Sequence, residues 1–204
     1  MKRQHDMKAT NNPQLNVKTY WDGIYSDPSK RDQYWDRSWR FYKTLEFVKD
    51  GDKFLDIGCG IATCVNAVKE KYPNCEVWGT DIAKDTMKVN AEMYPNIKFV
   101  GNEVGYLKDI PDNYFDFVFA GEILEHLNDP NLLIKDAFSK LKTGGTFVCT
   151  TPLDEHVRSP EHTWYFSKED VKKLFEDNGF ETPEFIDLPN MESAYVIYAK
   201  GIKK

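Results

Sequence analysis

The sequence predicts an α/β fold: a doubly wound, seven-stranded sheet, mostly parallel with an antiparallel last strand, and helices on both faces. Three observations predict it. From about residue 50, short runs rich in β-branched and aromatic residues alternate with stretches whose apolar residues recur at helical spacing. The first run ends in Gly58-Cys59-Gly60, a tight turn of the kind that leads a strand into a helix. The last two runs, "FETPEFIDL" and "SAYVIYAKG", have no helical stretch between them. They must pair antiparallel, because a parallel return needs a long crossover.

The elements follow in order. "KFLDIG" is a strand, and Ile61, Val65, Val68 and Tyr72 mark a helix that stops before Pro73. "EVWGTD" is the second strand, and Met87, Ala91 and Tyr94 mark the next helix, ending before Pro95. "IKFVG" and "FDFVFA" are the third and fourth strands. Leu133, Ala137 and Leu141 share a helical face closed by Gly144 and Gly145, and "TFVCTT" is the fifth strand. Ser167 opens a helix with a capping-box pattern completed by Asp170; Val171, Leu174 and Phe175 form its buried face, and Gly179 ends it.

Ahead of this alternation, residues 1–15 read as a flexible polar N-terminus. Residues 16–48 read as an aromatic-rich helical lid, with Trp35, Trp39 and Tyr42 spaced i, i+4, i+7. Residues 49–204 form the main domain. A chain of 204 residues with 41% hydrophobic residues suits one domain with a sizeable core. The net charge of −6 weighs against sequence-independent nucleic-acid binding, which needs a basic surface. No apolar run approaches a membrane span or a signal peptide. Four cysteines without a C-x-x-C pair read as reduced thiols in a cytoplasmic setting.

In a doubly wound sheet the ligand crevice lies beyond the carboxyl ends of the strands. The first strand ends in a Gly-x-Gly turn, but Thr63 stands where a dinucleotide fingerprint has its third glycine. The second strand ends in Asp81, placed either to accept the hydroxyls of a ribose or to cap the following helix.

"FLDIGCGIAT", "VWGTDIAKDTMKVN", "FVGNEVGYLKDIPDNYFDFVFAGEILEHL" and "LKTGGTFVCTTP" together resemble the successive motifs of class I S-adenosylmethionine-dependent methyltransferases, over roughly residues 50–200. The resemblance implies a Rossmann-like fold with S-adenosylmethionine as cofactor and S-adenosylhomocysteine as product. It places the methionine moiety against Gly58, Cys59 and Gly60, with Asp56 orienting its ammonium. It gives the ribose to Asp81 and the adenine to Ile82. Asn102 stands where the family has an acid for the adenine amino group, with Glu103 beside it as the substitute. Gly121 and Glu122 would line the sulfonium end. "YWDGIY" resembles an N-terminal lid, with Tyr20 and Tyr25 as its cofactor-touching residues.

"GEILEHL" sets Glu122, Glu125 and His126 at i, i+3, i+4, and "EHTWYF" brings His162 to the same crevice. This pattern resembles two metal-dependent branches, the ubiquinone-pathway O-methyltransferases and the small-RNA 3′-end 2′-O-methyltransferases. The implied ligands are Glu122, Glu125, His126 and His162, for a divalent ion such as Mg²⁺. The metal-free reading is preferred, with His126 as the catalytic base. His156 and Arg158, in the loop after the fifth strand, are candidates for meeting an acidic or polyhydroxylated acceptor. The expected activity is methyl transfer to a small-molecule, sugar or natural-product acceptor, at a hydroxyl oxygen. The alternative is a catalytically silent protein that binds the cofactor as a sensor or partner subunit.

Overall fold

The computed structural model describes residues 2–3 and 39 (backbone only), 15–26, 40–153, 159–188 and 195–204. Trp35, His156 and Arg158 lie outside them. The elements in chain order are β1 (Lys2–Arg3), α1 (Lys18–Ser26), α2 (Trp39–Thr44), β2 (Lys53–Ile57), α3 (Thr63–Lys71), β3 (Glu76–Asp81), α4 (Lys84–Met93), β4 (Lys98–Gly101) and β5 (Phe115–Gly121). A 3-10 turn at Leu124–His126 follows, then α5 (Pro130–Lys140), β6 (Leu141–Pro152), β7 (Trp164–Tyr165), α6 (Lys168–Asp177), β8 (Glu184–Phe185) and β9 (Val196–Ile202).

Seven strands form one sheet in the order β4-β3-β2-β5-β6-β9-β8. Pairing is parallel from β4 through β6, while β9 runs antiparallel to both β6 and β8. β1 pairs with β7 apart from this sheet, Lys2 opposite Tyr165. The order reverses at β2, whose neighbours are β3 and β5, so the crevice opens beyond the ends of β2 and β5.

The central strands are covered on both faces. Phe54, Phe117, Phe119, Val148 and Tyr198 pack with Val65, Val68 and Met87 of α3 and α4. Leu55, Ile57, Val118 and Phe147 pack on the other face with Leu133, Ile134 and Ala137 of α5 and Phe175 of α6. Each such side chain contributes about 1.5–3 kcal/mol by leaving water. Alternation along β5 explains the two layers: successive residues point to opposite faces.

Two helix starts, those of α5 and α6, are set by residues that supply caps. Asp129 accepts from Asn131 N at 3.0 Å, with Pro130 in the first turn of α5. The expected box at Ser167 and Asp170 is formed at the start of α6.

Three local expectations change. Ala91 faces solvent, and the inward position on α4 belongs to Asn90, which is fully buried. Leu141 is the first residue of β6 rather than the last turn of a helix, since α5 ends at Lys140. Gly144 and Gly145 therefore do not stop that helix. They lie within β6 where its register against β5 shifts, between Phe115↔Leu141 and Phe117↔Thr146.

Candidate active site

The turn after β2 is pinned from several sides. Gly58 N and Cys59 N both donate to Thr80 O, at 2.7 and 3.0 Å. Gly60 N donates to Asp81 Oδ2 at 3.0 Å, and Asn90 Nδ2 donates to Gly60 O at 2.8 Å. Gly58 and Gly60 adopt φ of +81° and +48°. A Cβ on Gly58 would meet Ile123 Cδ1 at 2.7 Å, and one on Gly60 would come within 3.1 Å of the Tyr25 ring. Gly58 thus leaves its backbone bare on the crevice floor, while Gly60 is covered by Tyr25. Cys59 points inward, with Sγ 3.6 Å from Met87 Sδ.

Asp81 braces and lines at once. Its Oδ2 takes Gly60 N, its Oδ1 accepts from Ala83 N at 2.9 Å, and its side chain borders the crevice. The capping role proposed for it takes the form of this short turn just ahead of α4, whose N-cap position is Ala83. Asp56 sits deeper, 3% exposed, behind the turn. Its Oδ1 is buried with no hydrogen-bond partner, and burial together with Asp81 pushes its carboxyl pKa well up.

The crevice has a volume of about 280 Å³. Its floor holds Ile57 and Gly58; Ile82, Asn102 and Glu103 form the side toward β3 and β4. Asn102 Nδ2 is buried without a partner, an open donor on that wall. Glu122, Ile123 and His126 form the side toward β5, and Trp21 and Tyr25 of α1 complete it. Asp56, Cys59, Gly60 and Gly121 lie behind this lining. A Cβ on Gly121 would strike the Phe119 ring at 2.7 Å, so packing within the sheet accounts for that glycine.

The Glu-x-x-Glu-His stretch does not present one face. Glu122 has a left-handed backbone, φ +55°, and only Leu124–His126 form a helical turn. Glu122 instead pairs with Arg40 Nη1 of α2 at 2.8 Å and accepts from Thr150 Oγ1 at 3.0 Å. Glu125, 1% exposed, accepts from Thr151 Oγ1 at 2.9 Å; burial, then the neighbouring Glu122, raise its pKa well above the usual range. Glu125, His126 and His162 each bring one ligand atom within 4.8 Å of the others. Three of the four metal-ligand candidates therefore converge, and Glu122 is engaged elsewhere.

His126 is held between two rings, Trp21 at 5.2 Å and His162 at 5.1 Å, both edge-on. Its Nδ1 lies 3.1 Å from the carbonyl oxygen of Glu161, and its Nε2 lies 3.7 Å from Glu125 Oε1. Burial, then His162, lower its pKa to about 4, so the ring is neutral at pH 7.

A sequence model of the methyltransferase domain matches residues 29–184. The chain belongs to the class I S-adenosylmethionine-dependent methyltransferase family. It is 32% identical over 138 residues to the demethylmenaquinone methyltransferase of Staphylococcus carnosus, covering 66% of this chain and 56% of that one. It is 33% identical over 113 residues to the ubiquinone biosynthesis O-methyltransferase of Idiomarina loihiensis, covering 53% of this chain and 45% of that one. The chain spans about half the length of the curated relatives it matches. A crystal structure of a SAM-dependent methyltransferase from Aquifex aeolicus superposes with a TM-score of 0.72 at 18% identity, covering 87% of this chain and 99% of that one. That likeness carries the methyltransferase fold.

Several residues of this methyltransferase crevice escape sequence reasoning. Trp21, not Tyr20, lines it beside Tyr25: the pair is spaced i, i+4 on one face of α1, a signal the sequence does contain. Tyr20 turns away to donate from its hydroxyl to the Glu161 carboxylate. Arg40 lies outside every quoted stretch, while Asn90 and Glu161 sit inside "VWGTDIAKDTMKVN" and "EHTWYF" with no role assigned to them; only the fold brings the three in.

Proposed function

We propose that the protein moves the methyl group of S-adenosylmethionine to a hydroxyl oxygen of a small-molecule, sugar or natural-product acceptor, with His126 receiving the hydroxyl proton. The observation that carries this reading is the buried Asp56 carboxyl, one oxygen unpartnered, behind a bare glycine turn whose flank is Asp81. An amino-acid ammonium satisfies the first, and a ribose diol finds the second. Asn102 offers its amide to the adenine edge, since it both donates and accepts. Ile82 supplies an apolar face.

When bound, the cofactor supplies a methyl carbon already activated by its sulfonium. The chain's own task is alignment and proton removal. The acid of the β5 wall, Glu122, suits a positively charged centre. His126 is neutral and presents an Nε2 lone pair, because its Nδ1 faces a carbonyl. The names of the relatives support a small-molecule acceptor, one being a demethylmenaquinone methyltransferase and the other a ubiquinone biosynthesis O-methyltransferase; only the second name speaks for oxygen. Among the described residues no helix is long and apolar enough to cross a membrane.

The convergence of Glu125, His126 and His162 favours a second reading, in which the trio grips a divalent ion. There the ion would lower the acceptor hydroxyl's pKa and His126 would serve as a ligand. Both readings are tested by transfer of radiolabelled methyl from S-adenosylmethionine to a panel of phenols, catechols and sugars, with and without chelator. Transfer that survives chelation and is lost in His126→Ala supports the base. Transfer lost on chelation and restored by Mg²⁺ supports the ion. Tight binding of S-adenosylhomocysteine with no transfer to any acceptor would instead favour a silent cofactor-binding protein.

A further inference from the structure

Glu161 lies in the turn that follows β6 and joins three parts of the molecule. Its carbonyl oxygen accepts from Asn16 Nδ2, just ahead of α1, at 2.7 Å. The same oxygen faces His126 Nδ1 at 3.1 Å. Its carboxylate accepts from the Tyr20 hydroxyl of α1 and from the Ser159 hydroxyl. The turn is further docked on the β5 side: Thr163 N donates to Glu125 O at 2.7 Å, and Trp164 Nε1 donates to Leu127 O at 2.8 Å. One residue thus ties the lid helix to the histidine at the crevice wall.

A carbonyl oxygen can only accept. The contact with His126 is a hydrogen bond only when the ring's proton sits on Nδ1, which leaves the lone pair on Nε2. Nε2 is the nitrogen beside Glu125. Its 3.7 Å separation from Glu125 Oε1 is too long to impose the opposite tautomer.

We propose that Glu161 is a positioning residue that fixes the Nδ1–H tautomer of His126, and that it does so when α1 is seated, through Asn16 and Tyr20. The lid and the crevice histidine are then a single unit. With α1 in place the carbonyl is aimed at Nδ1, and Nε2 is ready to take a proton. With α1 displaced, the two donors it brings to Glu161 are gone, leaving Ser159 on the carboxylate; the carbonyl is then less firmly aimed, and the imidazole populates both tautomers. This rests on the proposed role of His126, and it concerns a set of contacts that acts before any acceptor arrives.

The test is nitrogen-15 NMR of the imidazole rings in the full chain loaded with S-adenosylhomocysteine, with His126 assigned by a His126→Gln spectrum. Wild type should show His126 as one neutral tautomer, protonated at Nδ1. Tyr20→Phe and Asn16→Ala, each removing one lid contact to Glu161, should convert it to a mixture in which the minor form rises severalfold. A wild-type ring protonated at Nε2 overturns the proposal, and so does a tautomer ratio unmoved in two variants that remain folded. Calorimetric binding of S-adenosylhomocysteine on the same samples keeps the cofactor reading separate: its absence would defeat that reading whatever the tautomer.

Discussion

The side-chain amide of Asn90, on α4, donates to the backbone carbonyl of Gly60, on the turn after β2, at 2.8 Å, and both residues are buried. A helix from the second strand-helix unit thereby holds the glycine turn of the first. Asn90→Ala removes the donor and leaves a buried carbonyl unsatisfied, a cost of about 1–3 kcal/mol. Urea unfolding should show that loss, and calorimetry should show weaker S-adenosylhomocysteine binding. Unchanged affinity would mean the turn keeps its shape without Asn90.

Asp81→Ala should weaken S-adenosylhomocysteine binding by roughly 1.5–3 kcal/mol, about 10- to 150-fold. Since Asp81 also takes Gly60 N and Ala83 N, the variant should lose stability as well as affinity. Asp81→Asn keeps acceptor capacity on one oxygen and should fall between the two. Affinity that matches wild type in both variants would remove Asp81 from the ligand site.

Asp22 on α1 accepts from Asp85 N and Thr86 N, at 3.2 and 3.3 Å, at the start of α4. An acid at a helix N-terminus is worth about 0.3–1 kcal/mol. Asp22→Ala should loosen the lid and speed S-adenosylhomocysteine release by about two- to fivefold in stopped-flow chase experiments, with the melting temperature little changed. An unaltered release rate would show that α1 does not gate the crevice.

Glu76 gives the clearest pH dependence. It accepts from Lys98 Nζ, Trp78 Nε1 and the Tyr114 hydroxyl, at 2.8, 3.0 and 2.8 Å, and chiefly the lysine lowers its pKa to about 2. A depressed carboxyl stabilises the fold above its unfolded-state value near 4.5, and that contribution disappears as pH falls toward 2. Glu76→Gln should therefore cost about 1–2 kcal/mol at pH 7, allowing for solvent screening. The difference from wild type should shrink steadily between pH 4.5 and 2 in denaturant titrations. A gap that is constant over this range would exclude ionisation as its source.

The sheet was legible because each strand carries its own pattern and three helices end just ahead of Pro73, Pro95 and Gly179. Ser167 and Asp170 announce a cap by chemistry that needs no tertiary partner. The misreadings come where tertiary structure overrides local pattern. Asn90 looks like a surface residue, yet its amide is spent on Gly60. Leu141 continues a helical spacing but is claimed by the ladder with β5. In the crevice, the left-handed turn at Glu122 breaks the phase that would have grouped it with Glu125 and His126, and Arg40 claims its carboxylate from far away in sequence. Glu161 acts largely through its backbone carbonyl, which no residue pattern reports.

The position of β9 bears on synthesis. It lies between β6 and β8, and among the described residues every partner of β8 in the sheet is on β9: Glu184 opposite Lys200, Phe185 opposite Ala199. β6, paired with β9 from Thr146↔Ile202 to Pro152↔Val196, has its outer edge uncovered until residues 196–202 have been translated. A nascent chain thus carries an exposed apolar strand edge through the whole interval in which α6 and β8 emerge, and β8 waits with it. Ribosome stalling in that interval would leave a species prone to pair with other chains, and the demand for chaperones should peak there.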